Sequence, residues 1–334
     1  MKFVIGVLVG VLAGVGIYAA ALEYGAFDMP LADLEAKYAR PTSKFMEIDG
    51  VRVHYMDEGP SGGSAPAIVL LHASYMNLFT WDSMTKALSG QYRVIRFDLP
   101  TLGLTGPDPK KRYTLEFNMQ ILDELTTRLG ADKFMLLATS SGGTVAFRYA
   151  ASKPERVTRM ILINSAGMPR TAVTNPNRAR GDVIDQWIQA RHKSMNYWRK
   201  GLGTNFTSMP PPDWLVELTY DTNRRAGGRE EGALFLKNYK TGDPQTVLGQ
   251  VKAPTMILWG MANPTVMHLE ADVMSLWLTA APSLVKKYPN MGHYLYLEIP
   301  QEVEKDVADF LSGAKDAELR ITQRVPVQTA GTAP

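Results

Sequence analysis

The sequence predicts an α/β fold: a mostly parallel central sheet flanked by helices, with an inserted helical cap and an N-terminal transmembrane helix. Three observations predict it. From Ala67 onward, short apolar runs alternate with segments of helical apolar spacing, the pattern of a parallel sheet covered on both faces. Residues 168–245 break that alternation and are rich in Trp, Met, Arg and Pro. Residues 3–22 carry no charge, and about 20 apolar residues in a helix match a hydrocarbon core roughly 30 Å thick.

The N-terminal run has two readings. One is an uncleaved signal anchor over residues 1–22. The other is a signal peptide cut near Ala19-Ala20-Ala21, a small-residue cleavage pattern. Lys2 precedes the run, and Glu23, Asp28, Asp33 and Glu35 follow it. That charge bias puts the N-terminus inside and the remainder of the chain outside the cytoplasm, periplasmic or extracellular. If the signal is cleaved, the mature protein is secreted. Gly6, Gly10 and Gly14 are four apart and share a helix face. They form either a close-packing dimer surface or simply a glycine-rich apolar tail.

Residues 23–43 are a polar linker with a short helix, Leu31–Tyr38. A hairpin follows, Lys44–Ile48 and Val51–Met56, turned by Asp49-Gly50. Ala67–Leu71 is a buried parallel strand, Trp81–Leu88 a helix and Tyr92–Phe97 a strand. Leu115–Leu129 is a helix stopped by Gly130. Phe134–Ala138 is a strand, Thr144–Ser152 a helix and Met160–Ile163 a strand. Helical stretches near Val183–Lys193 and Trp214–Asn223 fall in the cap. The alternation resumes with Thr255–Trp259, Leu269–Leu278, Leu284–Tyr288 and Glu302–Leu311. The core therefore occupies residues 44–167 and 246–313, and the cap 168–245. Residues 314–334 form a polar, loose tail.

The 334 residues carry a net charge of +3, too small a balance to argue for nucleic acid. The absence of cysteine excludes a disulfide, a thiolate metal site and a cysteine nucleophile.

The chemistry centres on Ala138-Thr139-Ser140-Ser141-Gly142-Gly143, which ends an apolar strand and opens a helix. A serine there sits on a sharp turn, and small residues two before and two after let the backbone pack tightly. The helix aims its first amides at the same place. Alone, this hexapeptide is equally a Ser/Gly loop that caps a helix. Three more segments follow strands: His72-Ala73-Ser74 with Trp81 beyond, Asp98-Leu99-Pro100-Thr101-Leu102-Gly103-Leu104, and Asn290-Met291-Gly292-His293 with Leu297-Glu298-Ile299-Pro300.

Together these segments resemble the α/β-hydrolase superfamily, in its capped, serine-nucleophile, esterase- and lipase-like branch. The resemblance covers about residues 44–312. It implies Ser140 as nucleophile, His293 as its base, and the backbone N–H groups of Ser74 and Ser141 as an oxyanion hole. Branches that open epoxides or displace halide use aspartate at this turn. Serine implies acyl chemistry: an ester, thioester, lactone or amide, or a C–C bond beside a carbonyl. The Met-rich cap suggests a small apolar acyl substrate. No cofactor and no metal are expected.

The pattern departs from the family at the acid. The expected Gly, two residues, Asp is here Gly260-Met261-Ala262-Asn263, and the other acid position used in the family holds Asn164. Three readings stay open. Asn263 orients His293 through its amide oxygen; Glu270 or Asp272 reaches in from the next helix; or the site is a catalytically weak or inactive ligand pocket. Thr101 also replaces a usual glycine. Among the other histidines, His72 reads as a structural hydrogen-bonder, His54 and His192 as surface residues, and His268 as lacking a partner at metal spacing. Trp187, Tyr197, Trp198, Phe206 and Trp214 read as the cap's own core, with one or two lining the pocket.

Overall fold

Every apolar run of the predicted core becomes a strand. The computed structural model describes residues 2–60, 63, 65–169 and 183–321. Its strands are β1 (Lys44–Ile48), β2 (Val51–Glu58), β3 (Ala67–Leu71), β4 (Arg93–Phe97), β5 (Phe134–Thr139), β6 (Val157–Ile163), β7 (Thr255–Gly260) and β8 (Ser283–Tyr288). They form one eight-stranded sheet in the order β1-β2-β4-β3-β5-β6-β7-β8. β1 pairs antiparallel with β2, and β2 with β4; all later pairings are parallel. Asp49 and Gly50, with φ of 46° and 86°, make the tight hairpin turn that their residue types favour.

The inner strands are buried along their whole length, which explains why they read as continuous apolar runs. Alternate residues feed two cores. Val69 and Leu71 join the cluster under the helices Leu115–Arg128 and Ser141–Ser152, while Ile68 and Leu70 join the one under Asp82–Leu88 and Pro300–Leu311. Thr114 caps its helix by accepting the Phe117 N–H.

Between β6 and β7 the described residues form five helices: Val183–Arg191, Met195–Gly203, Asp213–Asn223, Gly228–Asn238 and Pro244–Leu248. Most of the cap is therefore helical where it is described, and residues 170–182 lie outside the described residues, as do 322–334 of the expected tail.

Two expectations change. The apolar N-terminal run folds as one helix, Lys2–Glu23, but among the described residues no helix is long and apolar enough to cross a membrane. The predicted transmembrane element is corrected to an exposed apolar helix. The surroundings of residues 1–3 and of Gly6 fall outside those described, while Gly10 and Gly14 face open space. Nor is the segment before β1 a free linker. Leu34 is fully buried, Met29 bridges to Arg225, and Lys37 pairs with Glu217 and Asp221 of the cap.

Candidate active site

The ends of β5, β6 and β7 meet at one edge of the sheet, and short loops there are sewn together by polar groups. Ser140 sits between β5 and the helix Ser141–Ser152 with φ 51° and ψ −124°. That backbone region is costly for a residue with Cβ. It persists because the surroundings over-determine it: the Ser140 N–H donates to Ile163 O at 3.1 Å, and its carbonyl accepts from the Ala166 and Gly143 N–H groups. Gly142 is required by close approach. A Cβ there would lie 2.6 Å from His72 O and 2.7 Å from Leu71 O, so the helix start rests directly on the end of β3.

Ser141 opens that helix, so its N–H has no partner within the helix. Its hydroxyl accepts from Ser74 Oγ at 2.8 Å. The two residues expected as backbone donors thus lie side by side.

His293 is nearly fully buried and is fixed through its backbone. Its N–H donates to Asn205 O of the cap at 2.8 Å. Its carbonyl accepts from Asn164 Nδ2 at 2.8 Å, and the same amide group donates to Gly292 O at 3.1 Å while its oxygen accepts from the Gly260 N–H at 2.9 Å. Asn164 is therefore a latch across the ends of β6, β7 and the histidine loop. Only an amide can donate to two carbonyls and accept from an N–H at once. The sequence pattern offered Asn164 solely as an acid position without its acid.

Glu298 holds the other side of that loop. It accepts from the N–H groups of Gly292, Thr207 and Ser208, at 2.9, 2.8 and 2.7 Å. Nothing in its sequence context beyond the Leu297–Pro300 resemblance signalled this.

The ring bonds of His293 run to Asn263 alone among the described residues. Asn263 Nδ2 lies 3.0 Å and Oδ1 3.2 Å from His293 Nδ1. Oδ1 already accepts from the Thr265 and Val266 N–H groups at 2.9 and 3.2 Å. Burial lowers the His293 pKa to about 4, and no carboxylate offsets it. The reading in which Glu270 or Asp272 reaches the histidine is corrected. Glu270 accepts from the Met267 N–H, with burial raising its pKa, and Asp272 pairs with Lys287. No hydrogen bond joins Ser140 to His293 here; such bonds are often long before substrate binds.

The other histidines separate clearly. His72 accepts the Leu99 N–H on Nε2 at 3.0 Å and donates from Nδ1 to Ala73 O at 2.8 Å. His54 is not a surface residue: it is fully buried, bonded to Asp98 at 2.7 Å and Ser43 at 2.9 Å. The helix Leu31–Tyr38 and its flanks cover the hairpin face that alternation would have left wet. Asp98 also accepts from the Leu78 and Leu104 N–H groups; against burial, His54 first, then His72 and the Leu104 N–H, hold its pKa down. His192 is half-buried against Phe27 and Tyr220. No cluster of metal-ligating side chains exists among the described residues.

A cavity of about 300 Å³ opens beside this site. Ser74 and Ser141 border it, with Leu99, Val145, Trp198 and Phe235 forming part of an apolar wall. Neither Ser140 nor His293 is among the residues that line it. Of the cap aromatics, Trp198 and Phe206 are buried, while Trp187 and Trp214 are exposed. Thr101 lines the cavity with φ 77°, a glycine-like backbone carried by a residue with Cβ.

Comparison with known proteins agrees with this fold. The family model for the alpha/beta hydrolase fold matches residues 66–300. The chain is 24% identical over 286 residues to a 2-hydroxy-6-oxononadienedioate/2-hydroxy-6-oxononatrienedioate hydrolase of Klebsiella pneumoniae, covering 82% of this chain and 96% of that one. It is 24% identical over 291 residues to epoxide hydrolase 3 of Xenopus tropicalis, covering 80% and 76%. Among solved structures it is similar to a bacterial membrane phospholipase A, with a TM-score of 0.67 and 22% identity over 95% of this chain and 100% of that one. With the family model spanning most of its length, and hydrolases among its relatives, this chain belongs to the α/β-hydrolase-fold family.

Proposed function

We propose that the protein is a serine hydrolase of carbonyl substrates, acting on an ester, lactone, thioester or related acyl bond through Ser140 and His293. The supporting observation is the strained serine at the strand–helix turn, held at φ 51° and ψ −124°. In this reading Ser140 Oγ attacks the carbonyl carbon and His293 Nε2 takes the hydroxyl proton. The N–H groups of Ser74 and Ser141 hold the oxyanion. The proton passes to the leaving group, an acyl-enzyme remains, and water reverses the sequence to release the acid. Asn263 steadies the ring but supplies no charge. Serine at position 140 argues against the epoxide chemistry of one relative, which in this family uses an aspartate ester. The test is labelling with a fluorophosphonate together with a chromogenic ester panel. Labelling lost in Ser140→Ala supports the reading, and an unlabelled wild type overturns it.

A second reading is a catalytically weak ligand-binding protein on the same fold, and Asn263 favours it. Because Oδ1 is engaged by two backbone donors, the amide nitrogen is the group best placed to face Nδ1. That arrangement puts the imidazole proton on Nε2, the wrong nitrogen for accepting from serine.

We further propose that the helix Lys2–Glu23 associates with a membrane through residues 3–22, with the hydrolase domain outside the cytoplasm. Val4, Leu8, Leu12 and Ile17 are all more than half exposed, and a helix apolar on every side is stable only when buried in protein or lipid. Fractionation of the full chain should place it with membranes. Recovery wholly in the soluble fraction overturns the proposal.

A further inference from the structure

Among the described residues, the cap places Lys193 at the cavity without an acidic partner. Around the end of the helix Val183–Arg191, Arg191 pairs with Glu23, Arg224 with Asp221, and Arg229 with Asp28 at 2.8 Å. Lys193 lies among them and borders the cavity together with Arg229. No carboxylate pairs with it among the described residues, and its Nζ lies 5.9 Å from the centre of the Tyr197 ring. Burial, and behind it the charge of Arg229, lowers its pKa. A half-buried ammonium beside apolar side chains and a second cation is destabilising unless an anion meets it.

We propose that the cavity takes an acyl substrate bearing an anionic group, carboxylate or phosphate, which Lys193 holds while Leu99, Val145 and Phe235 enclose the apolar body. The inference rests on the acyl-hydrolase reading for the words "acyl substrate", but the anion site itself stands on the cavity and its charges. Core and cap divide the work: Ser74 and Ser141 border the cavity from the sheet side, and Lys193 and Arg229 from the cap. Lys193 then selects the ligand and takes no part in bond breaking. The Arg229 guanidinium, tied to Asp28, adds a field without committing its whole charge.

The experiment is calorimetric titration of the full-length Ser140→Ala protein, which removes turnover from the readout. The probes are octanoate, octyl phosphate, octan-1-ol and octylammonium. At least one of the two anions is expected to bind about tenfold or more tightly than octan-1-ol, as one charge-assisted hydrogen bond would give, and octylammonium to bind most weakly. Which anion wins names the group. Adding Lys193→Met should bring the anions down to the level of octan-1-ol. Lys193→Arg should restore the preference. Unchanged octan-1-ol binding in Lys193→Met shows that the cavity is intact. Equal binding of octanoate, octyl phosphate and octan-1-ol overturns the proposal, as does undiminished anion binding in Lys193→Met. The two readings fail separately. Anion preference with no fluorophosphonate labelling of the wild type sinks the hydrolase reading and leaves the anion site standing. Labelling without anion preference sinks this proposal alone.

Discussion

Asn263 presents both ends of its amide to His293 Nδ1, the nitrogen at 3.0 Å and the oxygen at 3.2 Å. A carboxylate in the same place would offer only acceptors. It would fix the proton on Nδ1, leave Nε2 free to accept from Ser140, and favour the imidazolium that forms during attack. Asn263→Asp is therefore expected to raise kcat by about 10²–10⁴, the reverse of removing such a carboxylate elsewhere. It should also shift the pH profile. His293 now holds a pKa near 4 because burial acts alone; an adjacent negative charge raises it. The rising limb of kcat/KM should then move to higher pH in the variant. Absence of both changes would favour the binding-protein reading.

Ser140→Gly separates strain from chemistry. At φ 51° and ψ −124°, serine costs about 1–3 kcal/mol that glycine does not, against about 0.5–1 kcal/mol of extra chain entropy for glycine. The variant should lose all fluorophosphonate labelling yet unfold at a higher denaturant concentration, by about 1 kcal/mol. A less stable Ser140→Gly would mean that the turn is held by the serine side chain rather than against it.

The parallel core was legible because β3, β5 and β7 are buried on both faces and so announce themselves as unbroken apolar runs. The cap was less so. Met195–Gly203 and Gly228–Asn238 are short helices with much of their surface exposed, and their apolar positions make sense only once each is set against its neighbours. His54 was misread because alternation in a hairpin normally leaves one wet face, and here a preceding segment covers it. The Ser140 turn, the histidine and the missing acid were visible as residue types. The roles of Asn164 and Glu298 were not, because each acts on backbone groups brought close by folding, which no spacing encodes.

Asn164→Asp tests the latch. The new oxygen, in place of Nδ2, would face the carbonyls of Gly292 and His293, which now accept from that nitrogen at 3.1 and 2.8 Å, in a fully buried position. Repulsion, desolvation and two lost hydrogen bonds predict destabilisation of about 3–5 kcal/mol. Asn164→Ala removes the bonds without adding charge and should cost less, about 2–3 kcal/mol. Both should lower turnover more than they raise KM, since the latch holds the base and not the cavity. Denaturant unfolding and steady-state kinetics on the pair check the order.

Acid stability should report the burial of His293 directly. Its folded pKa of about 4 lies below the ordinary 6.5, so the unfolded chain binds the proton more readily than the folded one. The sign follows: stability associated with this group is fully present above pH 6.5 and is lost as pH falls toward 4. Two and a half units correspond to about 3 kcal/mol. His293→Gln cannot take that proton, so its unfolding free energy should fall less steeply between pH 6.5 and 4 than that of the wild type. Parallel slopes across this window would show that the imidazole gains water or a counter-charge in solution. Asn263→Asp should flatten the same slope by raising the folded pKa, tying acid stability and the position of the rising kinetic limb to one ring.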